Sequence, residues 1–198
     1  MALRLVVLAS GTGSLFRALL EARDGGYSVA ALVTDNPQAG AIAIAEAADV
    51  EVRVVRPGDF ADREEWDEAV AGAIGEFRPD LVVSAGFMRV LGTAVLESFP
   101  DRIINTHPAL LPAFPGAHAV RDALAAGARE TGSTVHIIDA GVDTGPVIVQ
   151  ERVPVLEGDD EATLHERIKT VERRLLVDVV RDIAAHGLTV HDRKVTIG

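Results

Sequence analysis

Asn105 and His107 stand two residues apart in the stretch Ile104-Asn105-Thr106-His107-Pro108 of a 198-residue chain. In extended backbone, residues two apart project to the same side, so an amide donor and an imidazole stand together. The run Arg102-Ile103-Ile104 before them reads as the end of a buried strand. Pro108 stops that strand, because it supplies no N–H and biases His107 away from the helical region. In an open α/β sheet the end of a core strand is where ligands bind. An unperturbed imidazole titrates near pH ~6.5, so His107 can move a proton near neutrality. Asp143 lies in the glycine-flanked loop Asp139-Ala140-Gly141-Val142-Asp143-Thr144-Gly145-Pro146. Its carboxylate could hold the imidazole in one orientation and favour the charged ring. Amide, imidazole and carboxylate suit acyl transfer to an amine: the amine attacks a carbonyl, donors stabilise the oxyanion, and the leaving nitrogen takes a proton. Taken singly, each residue also has a plainer reading, as a turn cap, a satisfied buried histidine and a turn acid.

A second candidate lies near the start. Ser10-Gly11-Thr12-Gly13-Ser14 follows an apolar run and precedes Leu15-Phe16-Arg17-Ala18-Leu19-Leu20, which has helical spacing. Strand, glycine turn and helix start aim free N–H groups at an anion, although a plain tight turn has the same look. The turn is not the dinucleotide fingerprint, since Phe16 holds the third glycine's place. Asp35, at the end of the next strand, could still mimic the ribose-binding acid of such folds, so a nicotinamide dinucleotide stays open on these residues alone. A metal is the rival use of His107, His118, His136 and Asp143, but none shows helical His-x-x-x-His spacing or a known ligand pattern. For His118 and His136 a structural role is at least as good a reading as catalysis.

The elements that must position these residues alternate. Strands are expected at Arg4–Ala9, Val29–Thr34, Val52–Val55, Leu81–Val83 and Arg102–Thr106. Helices are expected from Leu15 to a stop at Gly25-Gly26, and at Ala39–Ala48, Arg63–Phe77 (capped by Asp62) and Thr93–Ser98. Such alternation means βαβ units and a mostly parallel sheet. After the central stretch come a proline- and glycine-shaped loop, Ala113–His118, and a helix, Ala119–Ala126. Strands Ser133–Ile138 and Val147–Val155 then read as an antiparallel pair. A long amphipathic helix runs from a cap at Asp160 to about His186, followed by a short tail, 187–198, with strand character. The fold class is therefore α/β: one Rossmann-like domain over 1–198, a mostly parallel twisted sheet with helices on both faces and an antiparallel C-terminal portion. Its halves are 1–100, a phosphate-binding βαβ half, and 101–198, the catalytic half.

Composition narrows the function classes. The chain is 48% hydrophobic but only 4% aromatic, which suits closely packed helices on a parallel sheet. The absence of cysteine removes disulfides, thiolate nucleophiles and Cys-type zinc sites. A net charge of −11 with no basic tract argues against nucleic acid or an anionic membrane as partner. An anionic substrate must then be drawn by local N–H groups, not by the global field. No signal peptide or membrane span is evident, so a cytoplasmic chain is expected.

Four motifs taken together, Ser10–Ser14, Ala85-Gly86-Phe87-Met88-Arg89, Asn105–Pro112 and Asp143-Thr144-Gly145-Pro146, resemble those of the folate-dependent phosphoribosylglycinamide formyltransferases, in order and spacing over nearly the whole chain. The resemblance implies that the formyl group of 10-formyltetrahydrofolate, a co-substrate, passes to the amine of phosphoribosylglycinamide in purine (IMP) synthesis, with no metal. It implies a catalytic trio: Asn105 donating to the formyl oxygen, protonated His107 stabilising the oxyanion and delivering a proton, and Asp143 raising the pKa of that ring. By the same resemblance Gly13, Ser14 and Leu15 hold the substrate phosphate, and Lys169 and Glu172 meet the glycinamide end. Met88, Arg89, Val90 and Leu91, with Asp139, Ala140, Gly141, Val142 and Asp143, clasp the pterin. Leu96 and Ile103 line its pocket, Asn105 is shared with the folate, and Arg63 lies near the glutamate tail. The resemblance thus adds folate binding to the catalytic half, 101–198.

Two positions depart from the family pattern. Relatives carry Asn where this chain has Leu15, and some carry a second His where it has Val120. The backbone donors at Gly13 and Ser14 survive the first change. Methionyl-tRNA formyltransferase adds a C-terminal domain for which this chain is too short, and acidity opposes tRNA. Formyltetrahydrofolate hydrolase shares the Asn/His/Asp set but usually carries an N-terminal regulatory domain, whereas strand one here starts at residue 4. The hydrolase, a formyltransferase with another amine acceptor, and a non-catalytic binding module are the alternatives. Oligomeric state stays open, with a homodimer through an apolar strand or loop surface as one outcome.

Overall fold

The computed structural model describes residues 2–23 and 26–198. The chain divides into two compact units, Met1–Asn105 and Thr106–Gly198.

In the first unit, β1 (Leu3–Leu8) is built on Leu5-Val6-Val7-Leu8, which no solvent reaches. It pairs in parallel with β2 (Tyr27–Thr34) on one side and β4 (Leu81–Ser84) on the other. The short β3 (Glu51–Val54) extends the sheet beyond β2, and β5 (Ile103–His107) lies beyond β4, both in parallel. Continuous apolar runs, not alternating ones, are what a parallel strand buried on both faces requires. The connections are α1 (Ser14–Glu21), α2 (Gly40–Ala47), α3 (Arg63–Gly75) and α4 (Thr93–Ser98). The Asp62 side chain accepts from the Glu65 N–H and so starts α3, as the sequence predicts. The expected stop of α1 at Gly25-Gly26 falls partly on Gly25, outside the described residues; α1 itself ends at Glu21.

The second unit contains α5 (Ala119–Ala125), β6 (Glu130–Ile137) and β7 (Val147–Pro154), and the last two pair antiparallel as expected. The pairing register breaks between Val135 and His136. The 26-residue α6 (Glu161–His186) opens with a capping box between Asp160 and Thr163. Its buried positions Leu164, Ile168, Leu175, Val179 and Ile183 recur at helical spacing. The tail is more structured than one strand: β8 (Leu188–His191) and β9 (Lys194–Ile197) form a hairpin. The sheet order is β3-β2-β1-β4-β5-β6-β7, so the α/β class with a mostly parallel sheet and an antiparallel end is the observed one.

Candidate active site

Asn105 and His107 close β5, two positions apart, with Asn105 half-buried and His107 only 4% exposed. The His107 ring is held at both nitrogens. Its Nδ1 lies 3.3 Å from Asp143 Oδ2 and its Nε2 lies 2.7 Å from the Phe114 carbonyl oxygen. Both partners are acceptors. A neutral imidazole has a single N–H and can donate to only one of them at a time.

Asp143 sits on the β6–β7 loop, in left-handed backbone with φ +54°. Asp tolerates that conformation better than most residues. One carboxylate oxygen accepts the Gly116 N–H at 2.8 Å and faces His107; the other faces His136 Nε2 at 3.6 Å. Burial pushes the Asp143 carboxyl up, but the hydrogen bond from His136, the Gly116 N–H and the adjacent His107 outweigh it and hold the group below its ordinary value. His136, 2% exposed, is anchored at Nδ1 by the Ile137 carbonyl oxygen at 2.8 Å. The register break at Val135/His136 falls where the ring must be aimed, a common use of an irregular strand position.

Glu172, on α6, is 5% exposed. Burial pushes its carboxyl up to about 7, against the opposing pull of the Thr106 hydroxyl, Lys169 and Arg173. Lys169, one turn earlier, lies 3.8 Å from Glu166. A carboxyl titrating near neutrality is the kind of group found at functional sites.

In the first unit the glycine turn has the expected strand–turn–helix form. Gly13 caps α1 at φ +76°, and a Cβ there would lie 2.8 Å from Ala41. Only glycine fits, on both counts. Leu15 is 9% exposed, so its side chain belongs to the core and a ligand at that position meets backbone. The second departure is absorbed similarly, because Val120 packs with Val153, Leu164 and Ile168.

Asp35 is not available to a ribose. Its Oδ1 accepts from the Ser10 hydroxyl at 2.5 Å and its Oδ2 from Arg89 Nε at 3.0 Å. The Ser10 oxygen in turn accepts the Met88 N–H at 2.9 Å. Asp35 thus ties the glycine turn to the Met88–Leu91 loop, where Met88 and Val90 are 73% and 55% exposed while Leu91 is buried. Arg63 donates to the Val90 carbonyl oxygen, and its guanidinium lies 4.7 Å over the Trp66 ring. Leu96 is half-buried on α4 and Ile103 fully buried in β5. In the Asp139–Asp143 segment Ala140, Gly141 and Val142 are exposed, and Asp139 accepts from Gly141 N–H and the Thr144 hydroxyl.

Sequence reasoning named His107 and Asp143 as partners, and the structure brings them together. It grouped His136 with them only as a rival metal set and did not name the Phe114 carbonyl or the Gly116 N–H, for which the Pro- and Gly-rich loop before α5 is the available signal. His118 is exposed at the start of α5. Among the described residues no group of three or more His, Cys, Asp or Glu is arranged to hold a metal ion.

A buried imidazole beside a carboxylate, on a mostly parallel sheet, suits acid–base chemistry, and the comparisons supply the class. Residues 3–180 match the formyl transferase family, and the chain belongs to that family. It is 57% identical over 197 residues to the phosphoribosylglycinamide formyltransferase of Mycobacterium tuberculosis, covering 98% of this chain and 91% of that protein. It is 36% identical to the Bacillus subtilis protein of the same name, over 91% of this chain and 94% of the relative. The crystal structure of glycinamide ribonucleotide transformylase 1 from Symbiobacterium toebii superposes with a TM-score of 0.94 at 40% identity, covering 99% of this chain and 94% of that one.

Proposed function

We propose that this chain transfers the formyl group of 10-formyltetrahydrofolate to the amine of N1-(5-phosphoribosyl)glycinamide in de novo purine synthesis. The observation that carries the reading is the His107 ring held between Asp143 and the Phe114 carbonyl. The substrate amine attacks the formyl carbon and the carbonyl electrons move to oxygen; the attacking nitrogen then gives up one proton, a proton is delivered to folate N10, and the electrons return from oxygen to carbon as the C–N10 bond breaks. Asn105 donates to the formyl oxygen, and the His107 imidazolium, whose Nε2–H leaves the Phe114 carbonyl to do so, stabilises the oxyanion and supplies the proton. Asp143 keeps the ring charged and aimed.

The phosphate is assigned to the backbone N–H groups of Gly13, Ser14 and Leu15, which a chain of net charge −11 needs for an anionic substrate. Lys169 and Glu172 are assigned to the glycinamide end. In the first unit, exposed Met88 and Val90 with Arg89 and Leu91 are assigned to the folate, with Arg63 bracing the Val90 carbonyl. In the second unit, the Asp139–Asp143 segment with exposed Val142 is assigned to it.

The reading places the protein in the cytoplasm; no described helix is long and apolar enough to cross a membrane. A homodimer is the assembly to test by light scattering, with Val54, 43% exposed on the terminal strand β3, as one apolar surface for it. The decisive experiment mixes the protein with 10-formyltetrahydrofolate, with and without the ribonucleotide. Folate consumption that requires the ribonucleotide is expected. Consumption indifferent to it would identify a hydrolase instead.

A further inference from the structure

The loop that carries Asp143 is fastened from outside by the C-terminal hairpin. At the hairpin turn, Arg193 Nη1 lies 3.2 Å from Asp139 Oδ2, and Nη2 donates to the Thr144 carbonyl oxygen. One guanidinium therefore joins the first residue of the loop to the residue next to Asp143. The other Asp139 oxygen accepts from the Thr144 hydroxyl at 2.6 Å and the Gly141 N–H at 3.1 Å, so the same carboxylate also closes the loop from within. Burial pushes the Asp139 carboxyl up, and Thr144, Gly141 and Arg193 together pull it below its ordinary value.

The interior of this loop is closely packed. A Cβ on Gly141 would come within 2.0 Å of the Thr144 hydroxyl, and one on Gly145 within 1.8 Å of the Ile137 carbonyl oxygen. The hairpin turn is conformationally costly. Asp192 and Arg193 adopt φ +48° and +60° in succession, where glycine or asparagine is the usual choice. Left-handed backbone is unfavourable for a non-glycine residue, and such residues persist where surrounding contacts hold them. Asp192, the nearest acid in sequence, lies 3.2 Å from His191, while Arg193 is turned to Asp139.

We propose that Arg193 is a positioning residue for the reaction, a clamp that fixes the Asp139–Gly145 loop so that Asp143 stays aimed at His107. Stability is a poor account of the contact: the Arg193 side chain is 65% exposed, and exposed ion pairs contribute little to folding. Geometry is the better account, because displacing a catalytic group by about 1 Å costs up to about a hundredfold in rate.

The proposal rests on the formyl-transfer reading, and the test separates the two. Wild-type transfer to the ribonucleotide is measured first. Arg193→Ala is then expected to lower kcat about tenfold and raise the KM for folate severalfold, with the ribonucleotide KM and Tm nearly unchanged. Arg193→Lys, which keeps one of the two bonds, is expected to recover part of kcat. Hydrogen exchange of the amides of residues 140–145 is expected to quicken in Arg193→Ala and slow again in Arg193→Lys. This readout needs no activity, so it judges the clamp even if the wild-type enzyme turns out not to transfer formyl groups. Unchanged kcat, or unchanged loop exchange, in Arg193→Ala overturns the proposal. So does an equal loss in both KM values accompanied by a large fall in Tm.

Discussion

Asp35 in the first unit and Asp143 in the second are both well-covered carboxylates, with side chains 7% and 12% exposed, yet they are held by opposite kinds of partner. Asp35 accepts from a serine hydroxyl and a guanidinium, neither of which changes charge between pH 5 and 8. Asp143 faces two imidazoles and one backbone N–H. Imidazole is the side chain whose charge does change in that range. The first arrangement fixes shape. The second must change a contact when a proton leaves, because a neutral ring can donate to only one of the two acceptors beside His107. This divides the labour: variants in the first unit should move binding constants and be indifferent to pH, whereas variants in the second should move turnover.

The hardest test of that division is His107→Ala. It removes the proton-handling group from the end of a strand whose pairing uses Ile103, Ile104 and Asn105. Circular dichroism should be unchanged, while kcat falls by about 10²–10⁴-fold, the usual range for a lost general acid–base. Near-full activity would reject His107 as the central acid. Asp143→Asn comes next, with kcat expected to fall by about 10²-fold. The amide removes the negative charge that faces Nδ1 of His107, so the ring nitrogens of His107 should change chemical shift in NMR. A ring that behaves identically in both proteins would break the pairing.

Glu172 extends the comparison to stability. Its carboxyl is raised from an ordinary 4.5 to about 7 in the folded protein. The folded state therefore binds the proton more tightly than the unfolded chain does. Its contribution is complete below pH 4.5 and is lost as pH rises through about 7, with a ceiling of about 3 kcal/mol. Glu172→Gln keeps the shape without the charge. At pH 8 its Tm should exceed that of wild type by several degrees, at about 2–4 °C per kcal/mol for a chain of this size, and the difference should vanish near pH 4.5. The same variant should raise the ribonucleotide KM, as expected of a site group whose burial costs stability. Parallel Tm curves across this range would remove Glu172 from the titrating set.

The difference between the units also explains what could be read from the sequence. The α6 boundaries follow from the Asp160 cap and the apolar spacing from Leu164 to Ile183, both local signals. The end of β5 follows from Pro108, and His107 with Asp143 from residue types that suit one reaction. His136 could be named only as a rival metal ligand or a structural residue, because alternation along a regular strand says nothing of a register break at Val135/His136. Asp67 escaped notice: it is 4% exposed within an amphipathic helix and accepts the N–H groups of Gly92, Ala94 and Val95, so it starts α4 from far away in sequence. The C-terminal hairpin lacks the Asn-Gly or Asp-Gly pair that announces such turns, because Asp192-Arg193 occupies it. Local rules fail where a residue's partner lies on another segment, and most of the site's polar partners do.

Asp35→Asn gives the smallest effect and the sharpest contrast. The amide oxygen can still accept from the Ser10 hydroxyl, so the glycine turn keeps its shape and the phosphate donors their direction. Arg89, with a side chain 50% exposed, loses its charged partner. A half-exposed pair of this kind is worth up to about 1 kcal/mol, or about fivefold in an equilibrium constant. The expected result is a folate KM raised up to about fivefold, with kcat and the ribonucleotide KM unchanged, and with the same ratio to wild type from pH 6 to 8. The effect should shrink at high salt, since exposed charges are screened. If kcat fell instead, or the ratio drifted with pH, Asp35 would belong with Asp143 among the groups that serve the proton, and the division between the units would fail.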